Sequence, residues 1–205
     1  TDVMASVAQR SAIKCELEQW RERLSKDEIQ KLSKNIQNEL TVGVLAVGVG
    51  VCTYSSVRAG FRPIRMTEVD EDSVKVWKEL YSGECLGDTF KVDYNSVEVP
   101  VYLTSGQPCP DYSRSGQRAG QYGKTGWMFV EQVPIILKLL PLAIRLEISD
   151  FAWQVNDGAE VKLALKQLRV HYCIKHKIVE VWRHGDVSSR RRLICKTVTE
   201  GGDIV

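Results

Sequence analysis

The chain has 205 residues, with 28 lysines and arginines against 26 aspartates and glutamates, a formal net charge of +2 and 43% hydrophobic residues. These values indicate one globular domain with a short extension, which can bury a full core without disulfides or metals. A charge this close to zero gives no overall attraction to nucleic acid, so any such binding must come from local patches.

The six cysteines show neither a Cys-x-x-Cys pair nor clustered spacing with histidine. This pattern argues against a zinc site and a disulfide scaffold, and it predicts thiols in a reducing, intracellular compartment. The longest apolar run, residues 133–144, contains a lysine and two prolines and is too short to cross a bilayer, so we expect no membrane association. Because the first residue is Thr1, we expect the sequence to be part of a longer protein.

The N-terminal part has a helical pattern. Residues 6–40 repeat apolar side chains at helical spacing, so we predict an N-terminal helical extension over residues 1–40. A capping-box pattern at residues 25–28 predicts the start of its second helix. Such a helix pair either packs on its own domain or binds a partner, and we favour packing.

From residue 41 onward, predicted strands alternate with predicted helices. The strands are expected at residues 41–47, 63–68, 99–104, 143–148, 171–182 and 192–197. The helices are expected at residues 53–59, 72–81, 126–140 and 157–168. This alternation predicts an α/β domain over residues 41–205, with a doubly wound and mostly parallel sheet.

A glycine-containing turn follows the first predicted strand. It contains Gly48 and Gly50, and Glu68 ends the next strand 20 residues after Gly48. Glycines let a ligand approach the backbone, and a carboxylate at this spacing can bind ribose hydroxyls, so the pattern fits a nucleoside-type cofactor. Glycines at this point also serve tight packing. Asp88 either accepts from an adenine amino group or closes a turn.

Cys109 lies between Pro108 and Pro110 in a loop that follows a predicted buried strand. The prolines restrict the backbone and stiffen this loop. Ligands bind at the carboxyl edge of open α/β sheets, where the loop is expected. Cys109 is therefore a candidate nucleophile, and the alternative is a buried structural cysteine.

Charged side chains follow the next predicted strands. Glu147 near the end of an apolar strand either acts on a substrate or pairs with an arginine such as Arg145 or Arg190. Arg190 and Arg192 alternate along an extended segment and would share a face, where guanidinium groups bind phosphate or polarise a carbonyl. Residues 175–196 as a whole form a basic strip that either binds phosphate or is a solvated face.

Taken in chain order, the glycine turn, the Cys109 loop and the charged residues after it resemble the catalytic domain of DNA (cytosine-5) methyltransferases over about residues 43–198. The matching motifs are Gly48-Val-Gly50, Ala59-Gly-Phe61, Thr67-Glu-Val-Asp70, Leu86-Gly-Asp88, Gly106-Gln-Pro-Cys-Pro-Asp-Tyr-Ser-Arg-Ser-Gly116, Gly123-Lys-Thr-Gly-Trp-Met-Phe129, Leu146-Glu-Ile148 and Arg190-Arg-Arg192. The resemblance implies a Rossmann-like, S-adenosylmethionine-dependent methyltransferase fold.

The resemblance also implies an activity, DNA cytosine C5 methylation through a covalent adduct between Cys109 and a flipped-out cytosine. The implied catalytic residues are Cys109, Glu147, Arg190 and Arg192. The implied residues for S-adenosylmethionine are Gly48, Gly50, Glu68, Val69, Asp88 and Pro108, and no metal is implied. DNA would be the partner, in the nucleus of a eukaryote or in the cytoplasm of a bacterium or phage host.

The chain departs from the family pattern at Ala46, Val51, Ile148 and Ser188. We expect a separate domain or chain to supply target recognition, and the N-terminal helices to pack beside the cofactor. The departures keep two alternatives open. One is a catalytically degenerate binding or scaffold module, and the other is an RNA cytosine-5 methyltransferase relative, because phosphate contacts carry little identity.

Overall fold

The computed structural model describes residues 40–48, 50–180, 183 and 191–197. The strands are β1 (Thr41–Leu45), β2 (Arg62–Met66), β3 (Glu84–Cys85), β4 (Tyr102–Gly106), β5 (Ala143–Ser149), β6 (Ile174–Glu180) and β7 (Arg191–Thr197). The α-helices in this part are α1 (Val51–Arg58), α2 (Glu71–Leu80), α3 (Trp127–Leu139) and α4 (Ala159–Leu168). Short 3-10 helices lie at Pro110–Tyr112, Gly120–Tyr122, Asp150–Trp153 and Val155–Gly158. The extension predicted for residues 1–40 lies outside the described residues, except Leu40.

The strands form one sheet in the order β3-β2-β1-β4-β5-β7-β6. The first five run parallel, whereas β7 pairs antiparallel with both β5 and β6. The predicted α/β fold with a doubly wound, mostly parallel sheet is therefore confirmed. The chain leaves β1 toward β2 and β3, then returns to place β4 on the other side of β1. This reversal makes the carboxyl ends of β1 and β4 the switch point at which ligands bind in such sheets.

The larger core packs α3 and α4 against the sheet. Its members include Phe129, Val133, Ile136, Ile144, Leu146, Ile148, Val161 and Leu165, all buried. Successive side chains of a strand face opposite sides. Because Ile144, Leu146 and Ile148 enter this core, Arg145 and Glu147 lie on the other face of β5.

A smaller core lies where α1 contacts α2. It contains Val42, Val44 and Trp77, and the Trp77 side chain is 0% exposed. The indole Nε1 of Trp77 donates to Thr53 Oγ1 at 3.0 Å, and its ring lies 5.4 Å from that of Tyr81. Trp77 thereby joins the two helices that flank the carboxyl ends of β1 and β2.

The strand predicted at residues 99–104 is displaced along the chain, since β4 begins at Tyr102. Pro100 has no N–H to donate to a neighbouring strand. The amide of Val101 donates to Thr41 Oγ1 at 3.0 Å instead of joining the ladder. The sequence pattern also missed β3, whose two residues are too few to show a period.

Two further boundaries differ. Helix α4 begins at Ala159 and not at residue 157, because Asn156 and Asp157 adopt positive φ angles of 48° and 52°. Strand β6 begins at Ile174 and not at residue 171, because the amide of Tyr172 still donates to a carbonyl at the end of α4. The other predicted elements agree with the structure to within two residues at each end.

None of the five cysteines among the described residues forms a disulfide. Burial raises the pKa of Cys195 to about 12, and it also raises the pKa of Cys52. Within the same residues, no cluster of three or more histidine, cysteine or carboxylate side chains could hold a metal ion. No helix in the described ranges is both long and apolar enough to cross a membrane.

Candidate active site

The glycine turn after β1 is held by the carboxylate of Glu68. Its Oε2 accepts from the amide of Gly48 at 2.7 Å, and its Oε1 accepts from the amides of Val69 and Asp70 at 2.8 and 3.0 Å. The amide of Glu68 in turn donates to the carbonyl of Gly87 at 2.9 Å. One residue therefore joins the chain segments that follow β1, β2 and β3.

Buried threonines support the same turn from below. The hydroxyl of Thr67 accepts from the amide of Ala46 at 3.1 Å and lies 2.6 Å from the hydroxyl of Thr89. The carbonyl of Thr89 accepts from the hydroxyl of Tyr94 at 2.9 Å. The contact between the Thr67 and Thr89 hydroxyls could not be predicted, because residues 22 positions apart in sequence leave no periodic signal.

Open space lies beside the turn. A Cβ built on Gly48 (φ 54°) or on Gly87 (φ 76°) would meet no atom within 4 Å. Asp88 closes its own turn by accepting from the amide of Phe90 at 3.0 Å, and its side chain is 32% exposed, so it can also meet a ligand. Val69 is 69% exposed. Bare backbone next to two carboxylates suits a ligand that carries hydroxyl and amino donors, as a nucleoside does.

Gly50 has a structural task in the turn. It is the N-cap of α1 in a left-handed conformation, with φ 89° and ψ 17°. Its amide donates to the carbonyl of Val47 at 3.2 Å, and a Cβ there would lie 3.5 Å from the Trp77 ring. Gly50 therefore shapes the backbone turn and does not line the open space at Gly48.

The thiol loop, residues 107–126, begins directly after β4. Cys109 Sγ donates to the carbonyl of Gln107 at 3.3 Å, and Cys109 caps the 3-10 helix Pro110–Tyr112. Gln107 is buried, and its amide nitrogen donates to Ser105 Oγ at 2.7 Å and to Gln132 Oε1 at 3.1 Å. The half-buried thiol therefore lies at the carboxyl end of β4, as predicted, and the hydrogen bonds of Gln107 fix the start of its loop. Pro108 lies between Gln107 and Cys109 in this fixed segment.

Glu147 on β5 lies beside the start of this loop, because its register partner on the neighbouring strand β4 is Gly106. One carboxylate oxygen lies 3.2 Å from Arg192 Nε, and the other lies 3.5 Å from Arg145 Nη2. The Glu147 side chain is 26% exposed, so it can still meet a ligand. The ion pair with Arg145, one of the two alternatives for Glu147, is present, and Arg192 is a second partner.

The two arginines of β7 separate as the strand alternation predicts. Arg192 faces Glu147, whereas Arg191 Nε lies 3.5 Å from Asp150 on the other face of the sheet. Arg190, the remaining predicted site residue, lies outside the described residues. Most of the remaining basic strip between β6 and β7 does too.

Cys52, in the first turn of α1, lies beside the Glu147 cluster, which consists of Glu147, Arg145 and Arg192. The electrostatic neighbours of its thiol are Arg145 and Glu147, and Thr104 lies nearby. The pKa of this thiol is raised chiefly by burial, so it stays protonated at neutral pH. The pattern of apolar and polar residues gave no sign that α1 reaches this cluster.

Residues 40–203 match the family model of the C-5 cytosine-specific DNA methylases. The chain belongs to this family. The type II methyltransferase M1.ScrFI of Lactococcus lactis subsp. cremoris is 28% identical over 120 residues, which cover 58% of this chain and 30% of that protein. M.DsaV of Dactylococcopsis salina is 22% identical over 150 residues, which cover 73% and 43%. The chain thus spans less than half the length of these two type II methyltransferases.

A solved structure of another methyltransferase supports the fold. The Entamoeba histolytica methyltransferase EhMeth superposes with a TM-score of 0.65 at 17% identity, covering 82% of this chain and 56% of that one. At this identity the likeness concerns the fold alone. Together with the sheet order, it confirms the Rossmann-like methyltransferase fold.

Proposed function

We propose that residues 41–205 form the catalytic part of an enzyme that methylates C5 of cytosine in DNA, with residues 1–40 as a helical extension. The single observation that supports this most is the placement of Cys109. Its thiol is hydrogen-bonded to Gln107 directly after β4, and Glu147 on the neighbouring strand β5 is in register with the end of β4. In a chain of this family, the pair provides a nucleophile and an acid at one sheet edge.

S-adenosylmethionine is the proposed cofactor, and it would supply the methyl group when bound. The residues proposed to hold it are Gly48, Gly50, Glu68, Val69, Asp88 and Pro108. Glu68 and Asp88 would accept from ribose hydroxyls and from the adenine amino group, and the bare backbone at Gly48 would admit the ligand. Gly50 would act through the shape of the turn.

The chemistry follows from what these side chains can donate and accept. A cytosine must leave the base stack before Cys109 can reach its C6. The lone pair of the Cys109 thiolate forms the C6–S bond, the C5–C6 double-bond pair shifts to C4–C5, and the N3–C4 double-bond pair moves onto N3, where negative charge builds. Glu147 gives N3 a hydrogen bond or a proton, while Arg192, with Arg190, holds the base carbonyl. After C5 takes the methyl group, a base removes the C5 proton, the C5–C6 double bond re-forms and the thiolate leaves.

Cys109 is a better nucleophile candidate than Cys52 or Cys195. Burial raises the pKa of Cys52 and Cys195, so both remain protonated at neutral pH. A thiol reacts as its thiolate, so these two sites are disfavoured.

Replacing Cys109 with serine tests the proposal directly. Labelled methyl transfer should fall by at least about 1,000-fold, because the covalent path is lost. DNA and RNA of the same sequence are compared at low salt, since binding by this chain alone is expected to depend steeply on salt. Label found as 5-methylcytosine in DNA supports the proposal. Equal incorporation by both proteins contradicts it, and label in RNA alone reassigns the substrate.

The second candidate is a binding module that has lost catalysis. The observation that favours it is that both carboxylate oxygens of Glu147 already face arginines. Calorimetry separates the two candidates. A stoichiometric titration with S-adenosylmethionine or its demethylated product favours the enzyme, and the absence of binding favours the module.

Replacing Glu68 with glutamine is expected to weaken cofactor binding by about 10- to 100-fold. Both oxygens of Glu68 accept backbone hydrogen bonds, so either orientation of the amide sets an NH2 group against a backbone N–H. Glu71→Gln, on the exposed start of α2, serves as the control. An affinity of the Glu68 variant equal to that of the control would remove Glu68 from the cofactor site.

A further inference from the structure

Asp111 stands two residues after Cys109 and is only 3% exposed. Its Oδ2 accepts three hydrogen bonds: from the Thr125 amide at 2.8 Å, from the Thr125 hydroxyl at 2.9 Å and from the Gly126 amide at 2.9 Å. A buried carboxylate is stable only when such donors replace water. These bonds fasten the start of the thiol loop to its end, directly before α3.

The surrounding backbone makes room for this carboxylate. A Cβ on Gly123 would collide with the carboxyl group of Asp111, and a Cβ on Gly126 would collide with the carbonyl of Gly120. Donation by the Thr125 amide, foremost, holds the pKa of Asp111 below its usual range. Asp111 is therefore charged throughout the neutral range, and the loop sequence leaves space for it.

The residue that follows Asp111 adds a second fastening. Tyr112 is buried, its hydroxyl donates to the carbonyl of Gly126 at 3.2 Å, and its ring meets that of Phe129 at 5.9 Å. The turn that carries the thiol is thus bound to the first turn of α3 through two consecutive side chains.

Cys109 depends on this turn for its own geometry. Its carbonyl accepts from the Tyr112 amide at 3.0 Å, and its backbone has φ −101° and ψ 1°, as at the third residue of a type I turn. This turn sets the direction in which the Cys109 side chain leaves the backbone. If the turn is released, the direction of the thiol is released with it.

We propose that Asp111 is a positioning residue, whose carboxylate holds the Cys109 turn against the start of α3 and so aims the thiol. This inference rests on the proposed function, in which Cys109 is the nucleophile. Asp111 does not touch the substrate in this account. It acts through the conformation of the residue two places before it.

Three variants test the inference. Asp111→Ala removes every acceptor, whereas Asp111→Asn can set its amide oxygen in the place of Oδ2, which alone accepts the three bonds. Thr125→Val removes one donor and leaves the carboxylate in place. The matched control is Asp93→Asn, an exposed carboxylate that closes a turn with Asn95 outside the thiol loop.

Two readouts need no methyl transfer. Amide hydrogen exchange of residues 110–126, followed by mass spectrometry, should rise by about tenfold or more in Asp111→Ala. Alkylation of the half-buried Cys109 should accelerate by about threefold or more, while Cys85 in the same sample reports an unchanged rate. Asp111→Asn should restore most of both values, and Thr125→Val should lie between. These readouts stand even if the chain methylates nothing.

The kinetic readout separates positioning from general stability. In Asp111→Ala, kcat should fall by about 100-fold with the cofactor affinity within about twofold of wild type. If Asp111→Ala does not fold, the exchange and alkylation rates of Thr125→Val decide, because Asp111→Asn is expected to stay near wild type. The inference is overturned if every folded variant among Asp111→Ala and Thr125→Val matches Asp93→Asn in loop exchange and Cys109 alkylation. The Cys109→Ser assay tests only the proposed function. Its outcome does not change what the exchange and alkylation rates show about Asp111.

Discussion

Replacing Glu147 with glutamine is expected to lower methyl transfer by at least about 100-fold, with cofactor affinity within about twofold of wild type. The amide cannot give a proton to N3 of the base. It also leaves Arg192 and Arg145 without their carboxylate partner. Single-turnover transfer of a labelled methyl group measures the chemical step directly.

The structure offers a matched control for this variant. Glu180 is also a half-buried carboxylate that faces two arginines, Arg183 and Arg191 of β7, and Arg191 lies on the other face of the sheet. Glu180→Gln should change single-turnover transfer by no more than about threefold. Equal losses in the two variants would mean that any broken ion pair disables the fold, and Glu147 would lose its assigned role.

Replacing Trp77 with alanine should lower the free energy of unfolding by about 3–5 kcal/mol. The side chain is 0% exposed, and its removal leaves a cavity between α1 and α2. It also removes the donor to Thr53 Oγ1. Because the ring packs beside Gly50, the glycine turn should lose its shape, and cofactor affinity should fall with stability.

Chemical denaturation followed by circular dichroism measures this change. Leu80→Ala is the control on the same helix, since its side chain is 63% exposed, and its effect should stay within about 0.5 kcal/mol. If Trp77→Ala lowers the free energy of unfolding as little as the control does, the smaller core does not stabilise the strands next to the proposed cofactor site.

The sheet could be predicted because its strands and helices differ in period and length. Apolar runs such as β5 and the helical pattern of α3 each identify one element without reference to the rest of the chain. The start of β4 could not be predicted this way. Pro100 is buried but has no N–H to donate, so an apolar, buried position there does not join the strand ladder.

The site was partly predictable for a topological reason. The carboxyl ends of parallel strands share one edge, so Cys109 after β4 and Glu147 on β5 were expected together, and the strand register brings their segments side by side. The three hydrogen bonds that Asp111 accepts could not be predicted. Their donors are 14 and 15 residues further along the chain, beyond any local pattern.

One departure from the family pattern has a structural explanation. Ile148 is buried in the larger core, on the face of β5 opposite to Glu147. The apolar residue therefore adds to packing and does not contact the carboxylate through its own side chain. Val51, in contrast, is exposed at the start of α1, where nothing in the structure explains its choice.

The central claim is that Cys109 bonds to cytosine, and covalent trapping tests it most directly. DNA that carries 5-fluorocytosine is incubated with S-adenosylmethionine and the protein, and the adduct is mapped by mass spectrometry. Fluorine at C5 cannot leave as a proton, so the thiol should remain attached after methyl transfer. The account predicts an adduct on the peptide with Cys109 and none in Cys109→Ser. An adduct on another cysteine, or methylated cytosine formed without any adduct, would contradict it.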